Sequence, residues 1–125
     1  MKIAVTGKGG VGKTTFAAIL ARLYAEENRP VLAADVDPDA NLGLALGFPE
    51  EELASITPIS KMKDFVNERT GVDPSGIMKF FKLTPKVDDI PDLFAKSCNG
   101  VKLLVLGTVD VAGAGCVCPE HVILK

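Results

Sequence analysis

Apolar and polar positions follow two different rhythms in the first third of the chain. Residues 2–6 (Lys-Ile-Ala-Val-Thr) form a short, mostly apolar and β-branched run, the pattern of a buried strand. A glycine-rich turn follows. Phe16, Ile19, Leu20, Leu23 and Tyr24 then recur at helical spacing, which predicts an amphipathic helix over residues 13–28 that packs through these side chains. Arg29-Pro30 ends it, and residues 31–35 read as a second strand. Strand, helix and strand in such close succession make a βαβ unit, so the expected sheet is parallel.

A short helix over residues 40–46 is closed by Gly47. Beyond it, Pro49, Pro58, Pro74, Pro85 and Pro91 divide the chain into short pieces, with helices expected over residues 60–69 and 90–96. The stretch 76–86, which carries Ile77, Met78, Phe80, Phe81 and Leu83, is apolar enough to pack on the core. Residues 101–106 read as a third strand without polar alternation, as expected where helices cover both faces.

From Cys118 the segment Cys-Pro-Glu-His-Val-Ile-Leu-Lys reads as a helix opening, with Pro119 in the first helical position and Glu120 in the first turn. The sequence stops before two turns are complete, and three parallel strands leave faces and edges to be covered. The expectation is an α/β fold in which residues 1–125 are the N-terminal part of a single domain of a longer protein.

Composition changes this picture little. With 47% hydrophobic and 24% charged residues the chain is ordinarily globular. A net charge of −2 and the lack of a basic run give no footing for nucleic acid or an anionic membrane. No apolar run approaches the ~20 residues of a membrane span, and residues 2–6 are too short for a signal peptide core. A cytoplasmic protein with reduced thiols follows as the expectation, and the 3 cysteines then suggest a metal or redox site rather than a disulfide framework.

The chemistry begins at Gly7-Lys8-Gly9-Gly10-Val11-Gly12-Lys13-Thr14, which satisfies G-x-x-x-x-G-K-[ST] between a predicted strand and a predicted helix. Glycines let the backbone wrap closely and turn its N–H groups onto a phosphate. The helix start adds its positive dipole end. In such a loop Lys13 bridges the β- and γ-phosphates of ATP, the Thr14 hydroxyl ligates Mg²⁺, and Thr15 reaches the α-phosphate. Asp35-Val36-Asp37-Pro38-Asp39-Ala40-Asn41 starts at the carboxyl end of the second strand. Carboxylates there can hold Mg²⁺ through water or orient an attacking water. A plain helix cap, with Asp39 as the capping residue, is the competing account.

An acid that helps to hold Mg²⁺ is expected at the end of an apolar strand, but residues 103–110 place Gly107 where it would belong, and Asp110 is not accepted in its stead. That strand and the adenine-binding segments are expected beyond Lys125, so the 125-residue chain alone should hydrolyse ATP very slowly. Near the end, Cys116 and Cys118 stand at C-x-C spacing after a glycine loop and at a helix start, which favours thiolate. Two sulfurs are too few for a closed tetrahedral site, whereas a two-fold dimer supplies two pairs. Buried structural cysteines are the alternative. His121 lies one helical turn from Cys118 but reads better as a solvated helix residue, and Cys98 reads as structural.

The pattern K-G-G-x-G-K-T, with its second lysine Lys8, resembles the deviant Walker A ATPases, the class of the MinD and ParA ATPases and the nitrogenase iron protein. That resemblance implies a homodimer in which Lys8 crosses the interface to the partner's nucleotide. It also implies Asp37 as the residue that positions or activates water and meets Mg²⁺ through water, with Asn41 nearby. Together, K-G-G-V-G-K-T, D-V-D-P-D-A-N-L, L-L-V-L-G-T-V and G-x-G-C-x-C-P-E are similar to the accessory ATPases for nickel insertion into carbon monoxide dehydrogenase (the CooC type) or their acetyl-CoA synthase counterparts. The similarity covers nearly the whole chain, least specifically over residues 49–100. It implies an ATP-driven metallochaperone whose Cys116 and Cys118 pairs bind Ni²⁺ or Zn²⁺ between subunits. An iron–sulfur ATPase like the nitrogenase iron protein, and a partitioning ATPase, are the other functions the class allows.

Overall fold

The computed structural model describes residues 1–37, 39–71 and 86–107. Its elements run in the order α1 (Lys13–Glu26), β1 (Val31–Asp35), α2 (Leu42–Leu46), α3 (Glu50–Ala54), a 3-10 turn (Ile59–Lys61), α4 (Lys63–Thr70), α5 (Ile90–Phe94), β2 (Lys96–Cys98) and β3 (Val101–Val105). The strands form one sheet in the order β1-β3-β2.

β3 organises the molecule because its side chains alternate between two covered faces. Val101, Leu103 and Val105 point to one side, where they meet Ala18 and Ala21 of α1, Leu42 and Leu46 of α2, and Phe48. Leu104 and Leu106 point to the other, against Ile59, Val66 and Ile90. Period-two alternation into two cores is what a strand with helices on both faces requires. Lys102 breaks the apolar run by reaching the surface and pairing with Asp92 at 2.7 Å.

β1 and β3 are parallel, with Val31 opposite Val101 and Asp35 opposite Val105. β2 is antiparallel to β3, so the α/β sheet is mixed rather than parallel throughout. The hairpin turns at Asn99 and Gly100, both at positive φ (49° and 79°). A two-residue type I′ turn demands that geometry, and Asn-Gly is its preferred dipeptide. The helix expected over 90–96 therefore ends at Phe94, and Lys96 begins a strand.

Three further expectations are corrected. Residues 2–6 are not among the strands: no ladder includes Ile3, Ala4, Val5 or Thr6 among the described residues. An apolar run becomes a strand only where a neighbour takes up its backbone N–H and C=O groups, and among the described residues no strand pairs with this run. The helix over 13–28 is present as α1, but it packs through Ala18 and Ala21, flanked by Ala17 and Ala25. Phe16, Ile19 and Leu23 are more than half exposed. Small side chains let α1 lie close to α2 and the sheet, and the larger ones are turned outward. The helix expected over 60–69 is split by Met62 into the 3-10 turn and α4.

Below the second core, Arg69 near the end of α4 holds Asp89 with two hydrogen bonds, 3.1 Å to Oδ1 and 2.6 Å to Oδ2, and also donates to the Lys86 carbonyl. Its guanidinium stacks on Phe65, whose ring meets Phe94 edge-on. The stretch 76–86 lies outside the described residues except for Lys86.

Candidate functional site

The loop 7–15 runs without a break into α1. Gly10 and Gly12 sit at φ 76° and 86°, a left-handed backbone that residues with a Cβ rarely adopt. A Cβ at Gly9, Gly10 or Gly12 would meet nothing within 4 Å, so space beside the loop is open. Gly12 is the N-cap residue of α1. It has no side chain to cap the helix, and no acidic residue lies in the first turn.

The start of α1 therefore presents backbone N–H groups and a positive dipole end that this chain does not neutralise with a cap. Lys13 adds a full positive charge, and its Nζ arches back to donate to the Lys8 carbonyl at 3.1 Å. Lys8 and Thr15 are exposed, while Thr14 and Lys13 are half-buried. Open space, uncapped N–H groups and a lysine over the turn are the donor set that a phosphate chain needs, so these residues fit Mg-ATP.

The acidic loop is built around Asp35, the last residue of β1. Its side chain is only 5% exposed. Oδ1 accepts the N–H of Asp37 at 3.1 Å and Oδ2 accepts the N–H of Leu42, the first residue of α2, at 2.8 Å. Asp37 is exposed, and its Oδ1 accepts the N–H of Asp39 at 3.1 Å in a local turn. Ala40 closes that turn by donating to the Asp37 carbonyl at 3.0 Å, at φ 41°.

Asp39 therefore does not cap α2; Asp35 does so from seven positions earlier. Asn41, at the N-cap position, makes no side-chain cap bond. No hydrogen bond among the described residues joins Asp37 to the loop 7–15, and Pro38 lies outside them. Asp35 is the residue that motif reading passed over. Nothing local in the sequence marks it, because its two partners, the N–H groups of Asp37 and Leu42, are brought together only by the folded loop.

Gly107 follows β3 at φ 84°, where a Cβ would come 2.5 Å from Cβ of Pro58 and 2.7 Å from Oγ of Ser60. The backbone passes too close to that turn for any side chain, which explains the glycine where an acid was sought. Cys98 is half-buried against the first core, with its thiol 3.7 Å from the Gly47 carbonyl. Cys116, Cys118, His121 and Asp110 lie outside the described residues. Among the described residues no group of three or more His, Cys, Asp or Glu side chains is arranged to hold a metal, and no helix is long and apolar enough to cross a membrane.

Comparison with known proteins agrees with the geometry of the loop. The sequence profile of the CobQ/CobB/MinD/ParA nucleotide binding domain matches residues 2–116. The carbon monoxide dehydrogenase accessory protein CooC of Rhodospirillum rubrum is 53% identical over 125 residues, which are 100% of this chain and 47% of that protein. An uncharacterised ATP-binding protein of Methanocaldococcus jannaschii is 46% identical over the same 125 residues, 47% of its length. The chromosome partitioning protein ParA of Myxococcus xanthus is 46% identical over only 46 residues, 37% of this chain and 16% of its own. The chain thus spans about half the length of the curated relatives that it matches along its whole extent.

Proposed function

The chain belongs to the CobQ/CobB/MinD/ParA nucleotide-binding domain family, and from that premise we propose that it is the N-terminal part of a P-loop ATPase domain that binds Mg-ATP at residues 7–15. The whole protein, on this reading, is a cytoplasmic, homodimeric accessory ATPase that assists nickel insertion into carbon monoxide dehydrogenase or acetyl-CoA synthase. The observation that carries the assignment is the 53% identity to CooC along the entire chain. The ParA match, confined to 46 residues, reaches no such extent.

The residues have these parts. N–H groups of the loop from Gly7, Lys8, Gly9, Gly10, Val11 and Gly12 onward take the phosphate oxygens, and Lys13 exchanges its bond to the Lys8 carbonyl for the β- and γ-phosphates. Thr14 offers its hydroxyl to Mg²⁺ and Thr15 its own to the α-phosphate. Mg²⁺, when bound, neutralises charge on the phosphates as the terminal bond breaks. Asp37 orients the attacking water and meets the metal through water. Lys8 reaches the nucleotide of the second subunit, where its charge acts as an arginine finger does.

Cys116 and Cys118 hold the cargo metal, Ni²⁺ or Zn²⁺, with the same pair of the second subunit completing four thiolates. The test is metal-to-protein stoichiometry together with sedimentation mass, on the complete protein purified anaerobically. One metal per two chains is expected, abolished in Cys116→Ser/Cys118→Ser and weakened at low pH, where protons compete for the thiolates. One metal per monomer, or full binding by the double variant, refutes the shared site; a brown iron–sulfur chromophore would move the function to electron transfer.

A further inference from the structure

The most deeply buried carboxylate at this end of the sheet is Asp35, not the Asp37 to which the reading above gives the chemistry. Burial of a carboxylate is costly unless hydrogen bonds replace its water. Asp35 receives two, one from Asp37 itself and one from Leu42, where the loop enters α2. From behind, the Asp35 carbonyl accepts the N–H of Leu106 at 2.8 Å, which ties it to the end of β3. One side chain, anchored to the sheet, thus holds the loop at both ends, at the N–H of Asp37 and at the N–H of Leu42.

We propose that Asp35 is the positioning residue of this loop, fixing the backbone of Asp37 so that its carboxylate meets the Mg-nucleotide. The proposal rests on the reading of Asp37 given above and adds the group through which Asp37 is placed. A cap for α2 alone would need one oxygen, and the bond to Leu42 supplies it. The second oxygen has no part in the helix and goes to Asp37.

The loop also needs holding. Ala40 sits at φ 41°, a conformation its side chain does nothing to favour. The Asx turn inside the loop, from the Asp39 N–H to Asp37 Oδ1, is exposed to water and is the weaker constraint. A carboxylate is required because both partners are donors. Asparagine in its place would accept one N–H and set its own NH₂ against the other.

The test uses the complete protein and measures ATP affinity with Mg²⁺ and with EDTA; the ratio is the gain due to Mg²⁺. Asp35→Asn should lower that gain by about tenfold, the loss of one hydrogen bond to a charged group, and leave affinity in EDTA within about twofold. Asp37→Asn should lower the gain similarly, and the double variant should fall no further than Asp37→Asn, because the first residue acts through the second. In the unaltered chain the amides of Asp37 and Leu42 should exchange hydrogen at least about tenfold more slowly than free peptide; this needs no variant to fold.

An unchanged gain in Asp35→Asn, effects that multiply in the double variant, or rapid exchange at both amides would overturn the positioning role. So would a parallel fall of affinity in EDTA, the sign of a merely structural residue. If Asp37→Asn itself leaves the gain intact, or if the unaltered complete protein binds no ATP, the reading of the site fails and this proposal with it. The single variant at Asp37 separates that outcome from failure of the positioning role alone.

Discussion

Replacing Lys13 by alanine separates what this lysine does for a ligand from what it does for the fold. In the free chain it makes one 3.1 Å bond, to the Lys8 carbonyl, across an exposed turn. Such a bond adds about 0.5–1 kcal/mol to stability, with the lower end expected where both groups remain within reach of water. The packing of α1 rests on Ala18 and Ala21, which the substitution leaves untouched. A loss of about 0.5 kcal/mol corresponds to about 2–4 °C in Tm for a domain near this size. With nucleotide bound, the same ammonium would make charge-assisted bonds to two phosphate groups, each worth about 1.5–3 kcal/mol. Less the surrendered carbonyl contact and the ordering of a long side chain, about 3 kcal/mol remains, or about a hundredfold in Kd. Calorimetric titration of Mg-ATP into both proteins, run beside thermal melts, reads the two quantities independently. An affinity within threefold of the original would refute the reasoning. A Tm lower by more than about 10 °C would assign Lys13 to the fold instead.

What the sequence disclosed, and what it withheld, follows from how local each cause is. The loop 7–15, the start of α1 at Lys13 and the stop of α2 at Gly47 depend on neighbours a few positions away, and all were legible. The two covered faces of β3 were legible too, from an apolar run with one lysine. Residues 2–6 were misread because strand character is conferred by a partner, and no partner is encoded in the run itself. The packing face of α1 was misread for a related reason: hydrophobic size marks what can be buried, while close approach to α2 and the sheet selected the alanines. β2 had a local signal, Asn99-Gly100, which was hidden by reading 90–96 as one helix. Asp35 had none, since its role depends on the N–H groups of Asp37 and Leu42, brought together by the turn at Ala40. The same carboxylate caps α2, a duty that sequence logic gave to the nearer Asp39.

Two further expectations concern the scaffold. Leu103 is fully buried between β1 and β2 in the first core, so Leu103→Ala should cost about 3 kcal/mol, read as a lower urea midpoint at unchanged slope. A loss below about 1 kcal/mol would mean that β3 is not the centre of the packing. The pair Arg69–Asp89 should make stability acid-sensitive, and its sign can be fixed. The hydrogen bond from Arg69 is the main cause that holds the Asp89 carboxyl below its ordinary value, and the same bond raises Arg69. A carboxyl lowered in the folded state contributes stability above its unfolded pKa, about 3.9, and the contribution disappears as pH falls through the folded value. Arg69→Met should therefore lower the urea midpoint at pH 7, and the difference between the two proteins should shrink as pH falls and the Asp89 carboxylate takes up its proton. The methionine keeps an apolar stem beside Phe65, so packing loss is limited and the pH dependence isolates the charge. Curves of midpoint against pH that run parallel for the two proteins would show that the clamp between α4 and the start of α5 contributes nothing through its charges.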